Sequence, residues 1–261
     1  TAFCFALVVS LTVDGAVTAS AGVQYGTLTG ENGSDDPMHA TLTLNTSIWV
    51  HDGAENCWFE DLLVYHTGGY SILFDARDGF IRDQAVLRCV FENNRPHRFG
   101  TDPGDLNYGA WTGGVHYQNK GRTGETGRVI GLRVEECVFR RVMGNCLWGH
   151  GYGFDYLHER ISFLNNQFFE TGLDGILVGN TRGGVVAGNH FRRVGYRTTD
   201  DGGAAAPAYL GGLYAVALDT SGLVEAVDYS GNTGYAINGG FVDLDGFANG
   251  AVRGNVVMNP A

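Results

Sequence analysis

Short alternations of apolar and polar residues, closed by glycine or a small polar residue, recur along this chain. YSILFD (70–75), NCLWGH (145–150), GILVGN (175–180), YAVALD (214–219) and FVDLD (241–245) all show them. A helical period is almost absent. Runs of this length, bounded by turn residues, predict short β-strands. The opening TAFCFALVVSLTVDGAVTASA also reads as strands: it lacks a basic leader, and Asp14 interrupts its apolar part.

A second pattern precedes these runs: a small or amide residue, any residue, an aromatic and a charge. Copies start at Cys57, Cys89, Cys137, Gln167 and Asn189, with weaker ones at Asn232 and Asn255. The short intervals set a period of about 22–30 residues. The long ones hold insertions near 93–128 and 196–212. Short strands, glycine turns and this period describe a parallel β-solenoid. The expected architecture is all-β: one domain over residues 1–261, of seven or eight rungs. Residues at one repeat position should then stack about 4.8 Å apart. Cys57, Cys89 and Cys137 form such a stack of small core hydrophobes, continued by Asn189, Asn232 and Asn255 as an asparagine ladder. No amphipathic helix caps either end, which raises the expectation of a missing cap, further domains or a homo-oligomer covering the ends.

Composition narrows the function. The 261 residues carry a formal net charge of −11, which argues against nucleic acid, whose phosphates need a basic face. No run of 18 apolar residues spans a membrane. Five cysteines cannot all pair, and none has zinc-type spacing, so no metal site is expected.

Repeat phase places candidate chemistry. Counting 13 residues from Cys137, Gln167 and Asn232 reaches His150, Asn180 and Asp245, and Asp219 and Asp75 fill the same slot on other rungs. The phase leaves open which face this column takes. Carboxyls on adjacent rungs suit glycoside hydrolysis, with Asp219 and Asp245 as acid and base and His150 nearby. The insertions would wall a groove. Trp111, His116, Arg122, Asn180, Asp200, Asp201 and Tyr209 are the candidate substrate contacts, and Trp111, Tyr117, Tyr152 and Tyr209 can stack on sugar rings.

NNQFFETGLDGILVGNTRGGVVAGNHF (165–191) resembles the repeat of the right-handed parallel β-helix superfamily of pectate-lyase-like proteins, a likeness that covers about residues 40–260. It implies a secreted or periplasmic protein acting on polysaccharide or oligosaccharide. Gly149-His150-Gly151 resembles one of four polygalacturonase motifs. No Asn-Thr-Asp precedes it, Asp200-Asp201 follows it, and Ser162 stands where lysine is expected after Arg160-Ile161. Tyr152-Gly-Phe-Asp155, His158-Glu159 and Gly172-Leu-Asp174-Gly175 resemble motifs of mannuronan C5-epimerases, with a Tyr-Leu in place of a proline. That resemblance implies proton transfer by Tyr152 and His158, helped by Lys120. A uronate polymer would need local positive charge or Ca²⁺ against the net −11; otherwise no cofactor is required. Three readings stand: glycoside hydrolase, polysaccharide lyase or epimerase, and a non-catalytic carbohydrate-binding, adhesin or tail-spike-like β-helix.

Overall fold

The computed structural model describes residues 46–65, 67, 70–92, 94, 113–119, 126–142, 144–151, 156–195 and 215–259, and the backbone of Phe5–Leu7 and Ser10–Val13. Among these residues there is no helix. Strands of successive coils pair in parallel, each with the strand one coil earlier and one coil later. One coil can be followed through Asn145–Gly151, His158–Leu164 and Gln167–Thr171, after which Ile176–Ala187 begins the next.

Each coil lays down strands on three faces, which build a first, a second and a third sheet, the first two joined through Ile176–Ala187; a stack of inward side chains lines each. Ile48, Ile72, Val115, Leu147, Ile176, Leu218 and Val242 are register partners in turn. Phe59, Val86, Val134, Phe163, Val186 and Tyr229 form the second stack. Val64, Phe91, Phe139, Phe168 and Phe191 form the third. In that third stack the rings lie 4.9, 5.0 and 4.6 Å apart, close to the strand spacing, so they stack face over face. Gly234 occupies the next place, where a Cβ would meet the Phe241 ring at 2.6 Å. Its bare backbone is what admits that ring edge-on to Phe191 at 6.3 Å.

At the corner before the third sheet, one residue per coil takes positive φ: Asp61, Arg88, Glu136, Asn165, Gly188, Gly231 and Gly254, all between 50° and 66°. Each turns the next side chain inward. Those next residues are Leu62, Cys89, Cys137, Asn166, Asn189, Asn232 and Asn255. The asparagines form a ladder. The Oδ1 of Asn189 accepts the Asn166 N–H at 2.9 Å, Asn232 does the same for Asn189 at 3.0 Å, and Asn255 for Asn232 at 2.8 Å. Each Nδ2 also donates to a carbonyl of the preceding coil: Val134, Phe163, Val186 and Tyr229 in order.

Cys89 and Cys137 continue the ladder with sulfur. The Cys137 thiol donates to the Val86 carbonyl at 3.5 Å and that of Cys89 to Phe59 at 3.3 Å, the places the asparagine amides fill on later coils. The Cys89 N–H donates to the Cys137 Sγ at 3.4 Å, as Cys137 itself donates to Asn166 at 3.0 Å. Both thiols, like Cys57 and Cys146, are free and buried.

Two expected members are displaced. Cys57 opens Cys57–Glu60 in the second sheet, where Trp58 pairs with Ala85, and Leu62 takes its ladder place. The four-residue pattern marks any strand with an inward aromatic, so it occurs in both sheets. Gln167 lies one residue late: Phe168, not Phe169, pairs with Phe139, and Asn166 is the ladder residue. At the N-terminal edge, Phe5–Leu7 and Ser10–Val13 are strands, as read, but they pair antiparallel with Leu63–Tyr65 and Cys57–Glu60.

Truncating Asn189 leaves buried donors and acceptors unmatched, each worth about 1–3 kcal/mol. Urea unfolding should show Asn189→Ala destabilised by roughly 3 kcal/mol or more. Cys137→Asn, which supplies the same donor and acceptor, should unfold within about 1 kcal/mol of the parent.

Candidate functional site

The first sheet buries one face in the core and turns the other outward. Since side chains alternate, the neighbours of the Ile72–Leu218 stack face out. One outward column runs Trp49, Leu73, His116, Trp148, Leu177 and Asp219. Asp243 continues it, its N–H donating to the Leu218 carbonyl at 3.0 Å. Two residues further along each strand, a second column runs His51, Asp75, Gln118 and His150.

This register corrects the column counted from the sequence. Asp75 and His150 do share a column, and His150 faces outward. It does so although Cys146 is core, because Cys146 lies at a corner, where it and Leu147 are both buried. Asn180 is one residue late, an error inherited from starting at Gln167; Gly179 falls beside His150. Asn180 sits at φ 41° where the register shifts between Gly179 and Thr181. Its amide donates to the Gly151 carbonyl and its Oδ1 accepts the Leu223 N–H at 3.0 Å. It therefore clamps three coils instead of facing a ligand. Asp219 is two residues early, and Ser221 holds the slot assigned to it. Asp245 lies in the turn after Gly240–Val242, its carbonyl accepting from the Thr220 hydroxyl at 2.9 Å. Its neighbour Leu244 is exposed.

The last coils nonetheless gather carboxyls. Asp219 is half-buried and accepts the Thr220 N–H at 2.8 Å. Burial pushes its pKa up to about 7, opposed by that hydrogen bond and assisted by Asp243 and Asp245. Asp174, nearly fully buried, accepts the Val216 N–H at 2.7 Å. Burial, then Asp219, raise it to about 8, with Asp243 adding to the effect. Near neutrality such a cluster holds protonated carboxylic acid beside ionised carboxylate, the pair that acid–base chemistry requires.

On the N-terminal side of these acids the outward face is aromatic. Trp148 stacks on His150 with centroids 5.5 Å apart, and both are half-buried. His116 lies 4.7 Å from Trp148 and stacks on buried Tyr70 at 4.3 Å and 9°. His116 Nε2 meets Gln118 Oε1 at 3.0 Å, and Gln118 Nε2 donates to Asp75 Oδ1 at 2.7 Å. Because Gln118 spends its amide on Asp75, its oxygen accepts from His116, which fixes the proton on Nε2. The Arg77 guanidinium closes the chain with two 3.1 Å bonds to Asp75 Oδ2, so the buried carboxylate is paired. Arg77 also lies 5.7 Å over the Trp49 ring.

Two other predicted residues face the interior. His158 is fully buried: its Nδ1 accepts the Val129 N–H and its Nε2 reaches the His150 carbonyl, both at 3.0 Å. Burial lowers its pKa to about 4, so it is neutral and both nitrogens are committed. Tyr117 is core, its hydroxyl 3.1 Å from that of Thr181. Lys120, Tyr152, Trp111, Arg122, Asp200, Asp201 and Tyr209 lie outside the described residues. His116, expected to touch substrate, is fully buried. Sequence reasoning missed Trp148, Asp174, Asp243 and Gln118, which links Asp75 to His116. Asp174 stood in GLDG, a string noted only for its likeness to an epimerase motif, and Asp243 in VDLD, read for repeat phase. Among the described residues no group of three or more His, Cys, Asp or Glu is arranged to hold a metal, and no helix is long and apolar enough to cross a membrane.

No protein family matches this chain, and no curated protein does. Among solved structures it is similar to the GH136 lacto-N-biosidase from Eubacterium ramulus, at 12% identity and a TM-score of 0.47. The match covers 82% of this chain and 51% of that one, so the chain spans about half its length.

The raised acids make stability depend on pH. Between about pH 4 and 8 the folded protein holds protons on Asp174 and Asp219 that the unfolded chain has released. Stability is therefore greatest below about pH 4 as far as these two groups decide it, and falls as pH rises through 7 and 8. Asp174→Asn keeps an oxygen for the Val216 N–H and removes one titration. Melting temperatures from pH 5 to 8 should fall less steeply for this variant than for the parent. Parallel curves would refute the burial of a protonated Asp174.

Proposed function

We propose that the chain is a right-handed parallel β-helix of the pectate-lyase-like kind, with seven or eight rungs, and a glycoside hydrolase acting outside the cytoplasm on a polysaccharide or oligosaccharide. The observation that carries the reading is Asp219 beside Asp243 on the outward face, with the Asp219 carboxyl held at about 7. Asp243 thus takes the role that the sequence suggested for Asp245, which is left to raise the Asp219 pKa from the adjoining turn. Neighbouring strands about 4.8 Å apart match the roughly 5–5.5 Å between carboxyls in retaining enzymes better than the wider inverting gap.

In this mechanism protonated Asp219 gives its proton to the glycosidic oxygen as the bond to the anomeric carbon breaks. The Asp243 carboxylate attacks that carbon and forms a glycosyl ester. Asp219, now ionised, takes a proton from water, which displaces Asp243 and restores both groups. The two carboxyls carry both steps without a cofactor. The lyase or epimerase reading finds less support, because His158 is enclosed in the core and neutral.

A panel of polysaccharides assayed for reducing ends and for the ultraviolet absorbance of unsaturated products separates the three readings. Hydrolysis raises only the first signal, elimination raises both, and a pure binder raises neither; epimerisation is silent in both and is read by NMR of the product. Asp219→Asn and Asp243→Asn should each lower kcat by about 10²–10⁴ with the fold intact by circular dichroism. The parent's rate should decline above about pH 7 as Asp219 loses its proton. Full activity in Asp219→Asn, or unsaturated products, would exclude the mechanism.

A further inference from the structure

The acids and the aromatics occupy the same outward column. From Trp148 to Asp219 is two coils, Leu177 lying between them. At about 4.8 Å per coil the separation is about 10 Å. A glycan laid along the coils with its scissile bond at Asp219–Asp243 would therefore bring a sugar about two rings away over Trp148. The Trp148–His150 stack offers a flat, half-exposed apolar surface there, suited to the C–H face of a pyranose. On the two coils before it the neighbours are rigid: Tyr70 stacks on His116, and His116 is tied through Gln118 to the Asp75–Arg77 pair. Side chains locked by packing and by hydrogen bonds beneath them lose little freedom when a ligand binds.

Charge selects the kind of sugar. Asp243 and Asp245 stand at the cleavage end beside Asp174 and Asp219, which hold protons there, and Arg77 is paired with Asp75. A uronate carboxylate threaded past these groups would meet negative potential.

We propose that the substrate is a neutral glycan lying along the coils, with a pyranose on Trp148–His150 two coils before the carboxyl pair. Gln118, Asp75 and Arg77 are positioning residues for that surface, acting through His116. This inference rests on the hydrolase reading for the place of the scissile bond.

The test uses 4-nitrophenyl monoglycosides, neutral oligosaccharides of increasing length, and binding of Asp219→Asn protein to xylan, β-glucan, galactan, chitin and polygalacturonate. The penalty of Trp148→Ala should grow with oligosaccharide length. On chains of four sugars or more it should exceed the penalty on nitrophenyl monoglycosides about tenfold and lie in KM. Gln118→Glu, which sets a second carboxylate against Asp75, should give a smaller defect of the same kind. Binding should favour a neutral polymer over polygalacturonate. Equal penalties at every length, a loss confined to kcat, or preferred binding of polygalacturonate would overturn the proposal. If oligosaccharides are cleaved but Trp148→Ala shows no length dependence, the subsite falls and hydrolysis stands. If nothing is cleaved but Asp219→Asn protein binds a neutral polymer through Trp148, hydrolysis falls and the subsite stands. Neither cleavage nor binding overturns both.

Discussion

The hydrogen-bond ladder at the corner of the coil fixes the register on which every other feature depends. Strand pairing alone sets the spacing between coils but tolerates slippage, and a slip of one residue exchanges the inner and outer faces of a sheet. The asparagines remove that freedom. Each amide bonds forward to its counterpart and back to a carbonyl of the preceding coil, so a displaced coil would leave several buried groups unmatched. Cys89 and Cys137 fill the same role with a weaker donor and acceptor, and they stand where stacked Phe91 and Phe139 already hold the coils in line.

From this register the outward face follows. The inner stack of the first sheet is aliphatic from Ile48 to Val242, which leaves the alternate positions for polar and aromatic groups. Hence Trp148, Leu177, Asp219 and Asp243 form one line, although 95 residues separate its ends in the sequence. The buried Asp75–Gln118–His116 chain depends on the same alignment: its members come from two coils, and a one-residue shift would leave a carboxylate buried without its partners. Asp174 and Asp219 are then driven to high pKa by burial first, with Asp219 and Asp243 acting on Asp174 and Asp243 and Asp245 on Asp219. The site is thus a consequence of stacking order, and its residues need no proximity in sequence.

The repeat, the absence of helices among the described residues and the stacking of Cys89, Cys137, Asn189, Asn232 and Asn255 were legible because each coil repeats the same physical problem. Phase was less legible. The local pattern of Cys57-Trp-Phe-Glu is indistinguishable from that of the third sheet, although it belongs to the second. Two adjacent aromatics, Phe168 and Phe169, offered two frames for one coil; the frame starting at Gln167 moved the predicted site from Gly179 to Asn180. Insertions removed the count that would have set Asp219 beside Leu177. His158 resembled a catalytic histidine in its local string, yet its place was decided by Val129 and the His150 carbonyl, contacts made on other strands.

Disulfide mapping tests the register claim most directly. Asp219 and Asp243 are neighbours on adjacent strands, within the roughly 4.4–6.8 Å between Cα atoms that a disulfide spans. Asp219 and His150 stand two coils apart. Asp219→Cys/Asp243→Cys should oxidise to an intramolecular disulfide, read by peptide mass spectrometry, whereas His150→Cys/Asp219→Cys should stay reduced. A disulfide between positions 150 and 219, with none between 219 and 243, would contradict it.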